Sequence, residues 1–255
     1  MRTFNTWVEM LRIKRKKSGP ANWPVFGERT PETRRDGSGQ PLAEGAERAF
    51  RVDPYRAPAV KRWLDITVAS LTLSVLAPIW LLALILIKLD GPGPAILKQK
   101  RVGLNGEQFI FYKFRTMVNG AENGISDRIP KGDLTKLLLS PRRRNPSVTK
   151  MGWVLRKTTM DELPQLINVI KGDMSLVGPR PDMPEIVAHW PAHFLERHKV
   201  KPGMTGLAQV NGRSDLTHEQ KIRYDLEYVR HHPISRDLAI LLKTITLVLS
   251  TKGAR

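Results

Sequence analysis

ITVASLTLSVLAPIWLLALILI, running from Ile66 to Ile87, is a stretch of 22 residues without a charge, longer than the roughly 20 that an α-helix needs to cross a hydrocarbon core. Core helices of water-soluble proteins are usually shorter and keep one polar face, so this stretch belongs in lipid. Its flanks are basic on both sides: Lys61 and Arg62 precede it, and Lys88, Lys98, Lys100 and Arg101 follow. Positive flanks favour the cytoplasmic side of a bilayer, which directs both ends to the same face. Pro78, near the middle, removes a backbone donor and clashes with the preceding turn, and Ser70, Thr72 and Ser74 offer hydroxyls to the groups so released. The expected element over residues 59–90 is a re-entrant helix, break and helix. A straight span kinked at Pro78 obeys the same physics.

Upstream, from Lys14 to Pro58, Pro, Gly, Arg and Glu crowd together without apolar periodicity, so residues 1–58 read as a basic, mobile segment that an anionic leaflet attracts. Met1 to Gly19 carries Arg12 and Lys14 to Lys17 but no apolar run of signal-peptide length, so the expected compartment is cytoplasmic. Over the whole chain, 42 Lys+Arg against 24 Asp+Glu leave a net charge of +18. Such a surplus calls for an anionic partner: nucleic acid, a membrane face or phosphorylated substrates. The absence of cysteine excludes disulfides, thiolate nucleophiles and Cys-ligated zinc. The six histidines fall on no recognisable metal spacing.

Downstream, Asp90-Gly91-Pro92-Gly93-Pro94 breaks the helix, and the alternation from Glu107 to Phe114 predicts a strand leading into Lys113-Phe114-Arg115-Thr116-Met117. Residues 118–149, with Pro130, Pro141, Pro146 and the run Arg142-Arg143-Arg144, read as a surface loop. A short apolar strand is expected before Gly178-Pro179-Arg180-Pro181. The glycine-rich stretch Pro202 to Arg213 either wraps a phosphate or makes a tight turn between packed elements. Tyr224 to Tyr228 fits an amphipathic helix, and Leu238 to Leu249, interrupted by Lys243 and too short to span, fits an interfacial or a core helix. The expected fold is α+β: a helix-rich cytosolic domain over 91–255 with a few short strands, seated on the membrane by the Pro-broken helix and by interfacial amphipathic helices.

Arg156-Lys157-Thr158-Thr159-Met160-Asp161-Glu162-Leu163-Pro164-Gln165-Leu166-Ile167-Asn168-Val169-Ile170 has the marks of a helix start: threonines, two acids, an early proline and then apolar residues. An ordinary acidic cap explains the acids. So does phosphoryl transfer, which needs a carboxylate nucleophile and a hard oxygen ligand for Mg²⁺. Arg156, Lys157 and Arg180 lie close to the acids in sequence, and arginine grips phosphate bidentately.

Six ordered motifs carry a resemblance that covers Lys61 to Leu249: Lys61-Arg62-Trp63-Leu64-Asp65, Arg101-Val102-Gly103, Lys113 to Met117, Asp161 to Val169, Lys171 to Pro181, and Lys201 to Gly206. On these the chain resembles the bacterial sugar transferase family, the monotopic polyprenyl-phosphate phosphoglycosyl transferases that initiate exopolysaccharide synthesis. The resemblance implies a ping-pong reaction at the cytoplasmic face of the bacterial inner membrane. Asp161 attacks the sugar-proximal phosphate of a UDP-sugar, UMP leaves, and undecaprenyl phosphate collects the phosphosugar, a hexose phosphate. It further implies that Glu162, with Asp161, associates with Mg²⁺, and that Lys113, Arg115, Arg156 and Arg180 hold phosphates. A homodimer is compatible with it. Two departures stand out: Ala77 precedes Pro78 where relatives often carry Ser, and Asn145 precedes Pro146 where relatives often carry Asp. Rival readings are a membrane-tethered nucleic-acid-binding protein, suggested by the charge and the Arg142 to Arg144 run, and a non-catalytic assembly protein.

Overall fold

A computed structural model describes residues 57–121, 146–188, 190–212 and 215–249. Residues 1–56 of the basic segment 1–58, residues 122–145 of the expected loop with the run Arg142 to Arg144, and Arg213 lie outside the described residues. The uncharged stretch forms α1 (Ala59–Leu89), a helix of 31 residues and roughly 46 Å at 1.5 Å per residue. Among the described residues it is the one helix long and apolar enough to cross a membrane. The expected interruption at Pro78 is not seen: helical residues continue on both sides of it. One proline deletes a single rung of the hydrogen-bond ladder, which a long helix with tertiary contacts on either side survives.

Those contacts tie both ends of α1 to one body. At the N-terminal end Lys61 Nζ pairs with Asp237 at 2.5 Å. Arg62 donates to the carbonyls of Val169 and Ile170, and Asp65 accepts from Ser175 Oγ and the Leu176 amide. At the C-terminal end Asp90 accepts from the Met151 amide at 3.0 Å, while Ala83 and Ile87 pack with Phe114 and Leu155. The buried stripe Lys61, Asp65, Ala69, Ala83, Ile87 leaves Trp63, Leu71, Val75, Leu82, Ile85 and Leu86 exposed.

The turn Asp90 to Pro94 leads into β1 (Ile96–Val102), which pairs antiparallel with β2 (Gln108–Phe114) in the register Ile96↔Phe114 to Val102↔Gln108. The expected strand is β2; its partner β1 escapes a reading by pattern because Lys98, Lys100 and Arg101 look like a basic flank. Then come α2 (Lys150–Lys157), α3 (Gln165–Lys171) and β3 (Ser175–Val177), the short apolar strand expected before Gly178. A single turn, α4 (Pro184–Val187), and a 3₁₀ segment Ala192–Lys199 lead to β4 (Gly203–Thr205), parallel to β3. The chain closes with α5 (Leu207–Asn211), α6 (His218–Arg230) and α7 (Ile234–Leu249).

The main core gathers Ala69 of α1, Phe111 of β2, Leu166 and Val169 of α3, Leu176 and Val177 of β3, Leu207, Val210, Tyr228 and Ile240. Of the two roles open to the glycine-rich stretch, close packing is the one observed. A Cβ on Gly203 would lie 2.0 Å from the Gly178 amide nitrogen, and one on Gly206 would lie 2.2 Å from the Gly178 carbonyl oxygen. α7 is both core and surface: Asp237 and Ile240 are buried, whereas Leu238, Leu242 and Ile245 are exposed. The architecture is the expected helix-rich α+β arrangement with a few short strands.

Candidate active site

The two acids do not occupy the first turn of an α-helix, as their sequence suggested. They sit on a separate 3₁₀ turn, Met160–Glu162, and α3 begins only at Gln165. Pro164 has no N–H with which to close an α-turn back to Met160, and the turn closes instead with the Leu163 amide on the Met160 carbonyl at 3.1 Å. Before it, Thr159 adopts φ +61°, one of two non-glycine residues with positive φ among those described. A β-branched residue there carries strain, and such strain gathers where the fold must aim a functional group.

The corner aims Asp161 inward. It is 5% exposed, and its Oδ2 pairs with Lys113 Nζ at 2.9 Å. That pairing leaves Oδ1 without a partner among the described residues. The register of Lys113 is secured by Asn168 of α3, fully buried, which donates to the Ile110 carbonyl at 2.6 Å and accepts from the Tyr112 amide at 3.1 Å. One side chain thus locks β2 against the helix that follows the acids. Asn168 belongs to a motif quoted above, yet nothing in its residue type announces the role.

Glu162 pairs with Arg180 at 2.6 Å. Arg180 follows β3, and the pKa of its half-buried guanidinium is raised above the ordinary value, first by Glu162 and to a lesser degree by Asp161 and Asp182, against the opposing effect of partial desolvation. The structure therefore brings four of the expected residues into one group: Asp161, Glu162, Lys113 and Arg180. Arg156 is not joined to the group by any contact among the described residues and is engaged by Thr116 instead. Thr149 caps α2 by accepting from the Gly152 amide, Gly152 lies so close to Thr116 that a Cβ would meet its carbonyl oxygen at 2.1 Å, and Arg156 Nε donates to Thr116 Oγ1 at 2.9 Å.

Arg115 is not part of the group. Its guanidinium, in a residue 4% exposed, donates to the carbonyls of Ile87, Gly91 and Pro92, each at 2.6 Å. The last carbonyls of a helix lack intrahelical partners, and Arg115 supplies them for α1 and the turn after it. In this structure it serves as a cap for the end of α1.

Mg²⁺ fits the donor set chemically. The ion takes hard oxygens, keeps several waters, and is commonly held by one or two carboxylates together with substrate phosphates, and Asp161 and Glu162 are donors of that class. No group of three or more His, Asp or Glu suited to a metal occurs among the described residues.

Comparison with known proteins agrees with the geometry. The family model described as bacterial sugar transferase matches residues 56–251. A UDP-glucose:undecaprenyl-phosphate glucose-1-phosphate transferase of Caulobacter vibrioides is 40% identical over 202 residues, covering 76% of this chain and 71% of the relative. The exopolysaccharide production protein ExoY of Rhizobium meliloti is 35% identical over 197 residues, covering 76% and 87%. The chain spans less of the galactosyl transferase CpsE of Streptococcus agalactiae: 40% identity covers 79% of this chain and 44% of that protein. A match across most of the described residues, with the paired acids and their basic partners inside it, places the chain in the bacterial sugar transferase family.

Proposed function

We propose that this protein transfers a hexose 1-phosphate from a UDP-sugar to undecaprenyl phosphate, releasing UMP, through a covalent phosphosugar on Asp161. The observation that carries the reading is the nearly buried Asp161 carboxylate, paired through one oxygen to Lys113 and flanked by the Glu162–Arg180 pair. Lys113 holds Oδ2 and leaves Oδ1 to attack. A bond forms between Oδ1 and the sugar-proximal phosphorus as the bridging P–O bond breaks, and UMP departs with that electron pair. Asp161 loses its negative charge on becoming an acyl phosphate, which frees Lys113 to pair with the transferred phosphate. Arg180, whose side chain is 43% exposed, is accessible to grip phosphate oxygens, and such charge-assisted contacts strengthen where water is scarce. An oxygen of undecaprenyl phosphate then attacks the same phosphorus, the Asp161 carboxylate is released, and undecaprenyl diphosphate sugar forms. Mg²⁺, held by Glu162 with Asp161, would neutralise charge on the donor diphosphate.

The lipid acceptor keeps its tail in the bilayer and its phosphate at the headgroups, so the site must lie there too. Both ends of α1 are tied to the same body, which supports a helix that seats this body on the membrane with both of its ends held at the cytoplasmic face. The exposed residues Leu238, Leu242 and Ile245 of α7, and Trp153 and Val154 of α2 with Lys157 over the Trp153 ring at 4.8 Å, suit a headgroup interface. In this arrangement the basic residues 1–58 add attraction to anionic lipid, and residues 91–255 form the catalytic domain.

The test is intact-mass measurement of the purified protein incubated with UDP-glucose or UDP-galactose and Mg²⁺ but no acceptor. A sugar-phosphate adduct that maps to Asp161 and disappears when undecaprenyl phosphate is added is the expected result. Turnover to product without any adduct would overturn the covalent route. No UMP release with any UDP-sugar would favour the non-catalytic reading.

A further inference from the structure

We infer that Arg197 is a positioning residue for Arg180, fixing the backbone from which that guanidinium reaches Glu162; this rests on the catalytic reading above. The segment Gly178 to Asp182 contains Pro179 and Pro181, which have no N–H, so it cannot be held by an ordinary ladder. Four successive carbonyls are instead bound from four directions. Pro179 O accepts from the Gly203 amide at 2.9 Å and Asp182 O from the Val102 amide at 3.0 Å. Pro181 O accepts from Arg101 Nη1 at 3.4 Å. Arg180 O accepts from Arg197 Nη2 at 2.6 Å.

Arg197 comes from the 3₁₀ segment Ala192–Lys199 and is 4% exposed. Its Nη1 also pairs with the Asp182 carboxylate, its Nη2 with Asp225 Oδ2 of α6 at 2.6 Å, and its guanidinium lies 5.1 Å from the centre of the Trp190 ring. Two carboxylates thus neutralise a cation that burial alone would disfavour. With its charge spent on them, Arg197 is not offered to substrate. What distinguishes it from an ordinary buried ion pair is its target: among the described residues it alone binds the carbonyl of the residue whose side chain meets Glu162. A backbone shift of about 1 Å at that point is enough to cost roughly 10²-fold in rate when a catalytic group moves with it.

The experiment is a double-mutant cycle on the full chain in detergent or nanodiscs, reading Mg²⁺-dependent UMP release with undecaprenyl phosphate. Arg197→Gln is expected to lower kcat/KM by about 10²-fold with a cooperative melting transition retained. Arg197→Lys, which keeps the charge and one of the bonds, should recover part of the loss. In an Arg180→Ala background, already impaired, Arg197→Gln should change turnover by less than about 3-fold, because the group it positions is gone. A merely structural role predicts that the losses multiply, and that result overturns the inference while leaving the catalytic reading intact. Wild-type turnover in Arg180→Ala overturns the inference alone, and no UMP release by the wild type takes down both. Should Arg197→Gln fail to fold, Asp182→Asn replaces it in the same cycle, with about 10-fold loss expected alone and none beyond that of Arg180→Ala, and multiplied losses again overturn the inference.

Discussion

At the scale of single residues, five charges of similar appearance in the sequence divide into distinct physical roles. Asp161 and Glu162 are adjacent, yet one is paired with lysine and the other with arginine. Asp161→Asn keeps shape and burial but removes the proposed nucleophile, so transfer should fall by at least about 10³-fold with an unchanged melting temperature. Glu162→Gln should also lose transfer, but with a raised Mg²⁺ requirement that an Mg²⁺ titration of UMP release would reveal. Arg115 behaves in the opposite sense. Removing a buried cation from three carbonyls leaves all three without their donor, and Arg115→Ala is expected to cost about 3 kcal/mol. Differential scanning fluorimetry would read that as a drop of roughly 6–12 °C. The KM for donor in the fraction that remains folded should change little. A large rise in KM at unchanged stability would return Arg115 to the substrate site.

At the scale of elements, α7 turns two faces to two environments. Its buried Asp237 and Ile240 tie it to α1 and the core, and its exposed Leu238, Leu242 and Ile245 lie at helical spacing with nothing over them among the described residues. Replacing these three by glutamate should weaken flotation with anionic lipid vesicles by about 10-fold or more, because each substitution exchanges apolar contact for a buried or repelled charge. Catalysis on a water-soluble donor should survive as UMP exchange. If vesicle binding is unaltered, α7 is not an interface element. The sequence left Leu238 to Leu249 open between core and interface, and packing shows that the helix serves the core on one side only.

At the scale of the whole molecule, a buried charge network beside the site makes stability depend on pH. Burial, helped by Arg197, lowers His198 to about 4 from an ordinary 6.5. Between those values the unfolded chain binds a proton that the folded one refuses, so stability falls as pH drops through that window. His218, lowered chiefly by burial, acts in the same direction. Asp182, which burial raises but Arg197 more than restores to below its ordinary value, adds a further loss once pH falls below about 4. Asp225 opposes them: burial pushes it up to about 6 against the pull of Arg197, so its contribution to stability falls as pH rises from about 4 to 6. Within pH 7 to 4 the two histidines act against Asp225, and His198 alone covers a window at least as wide as that of Asp225, so melting temperatures measured from pH 7 to 4 should decline, with His198→Gln flattening the slope between pH 4 and 6.5. Much of this protein was legible from neighbours along the chain. The uncharged run, the alternation of β2, the short apolar strand β3 and the order of the motifs are local patterns, because helix and strand periods repeat within a few residues. The tertiary structure alone decided which cation meets which acid, that Arg115 caps α1 while Arg180 faces Glu162, that the acids ride a 3₁₀ turn ahead of α3, and that both ends of α1 rest on one body. The reason is that a guanidinium carries the same charge wherever it stands, and its partner is chosen by contacts between residues far apart in sequence, which no local period encodes.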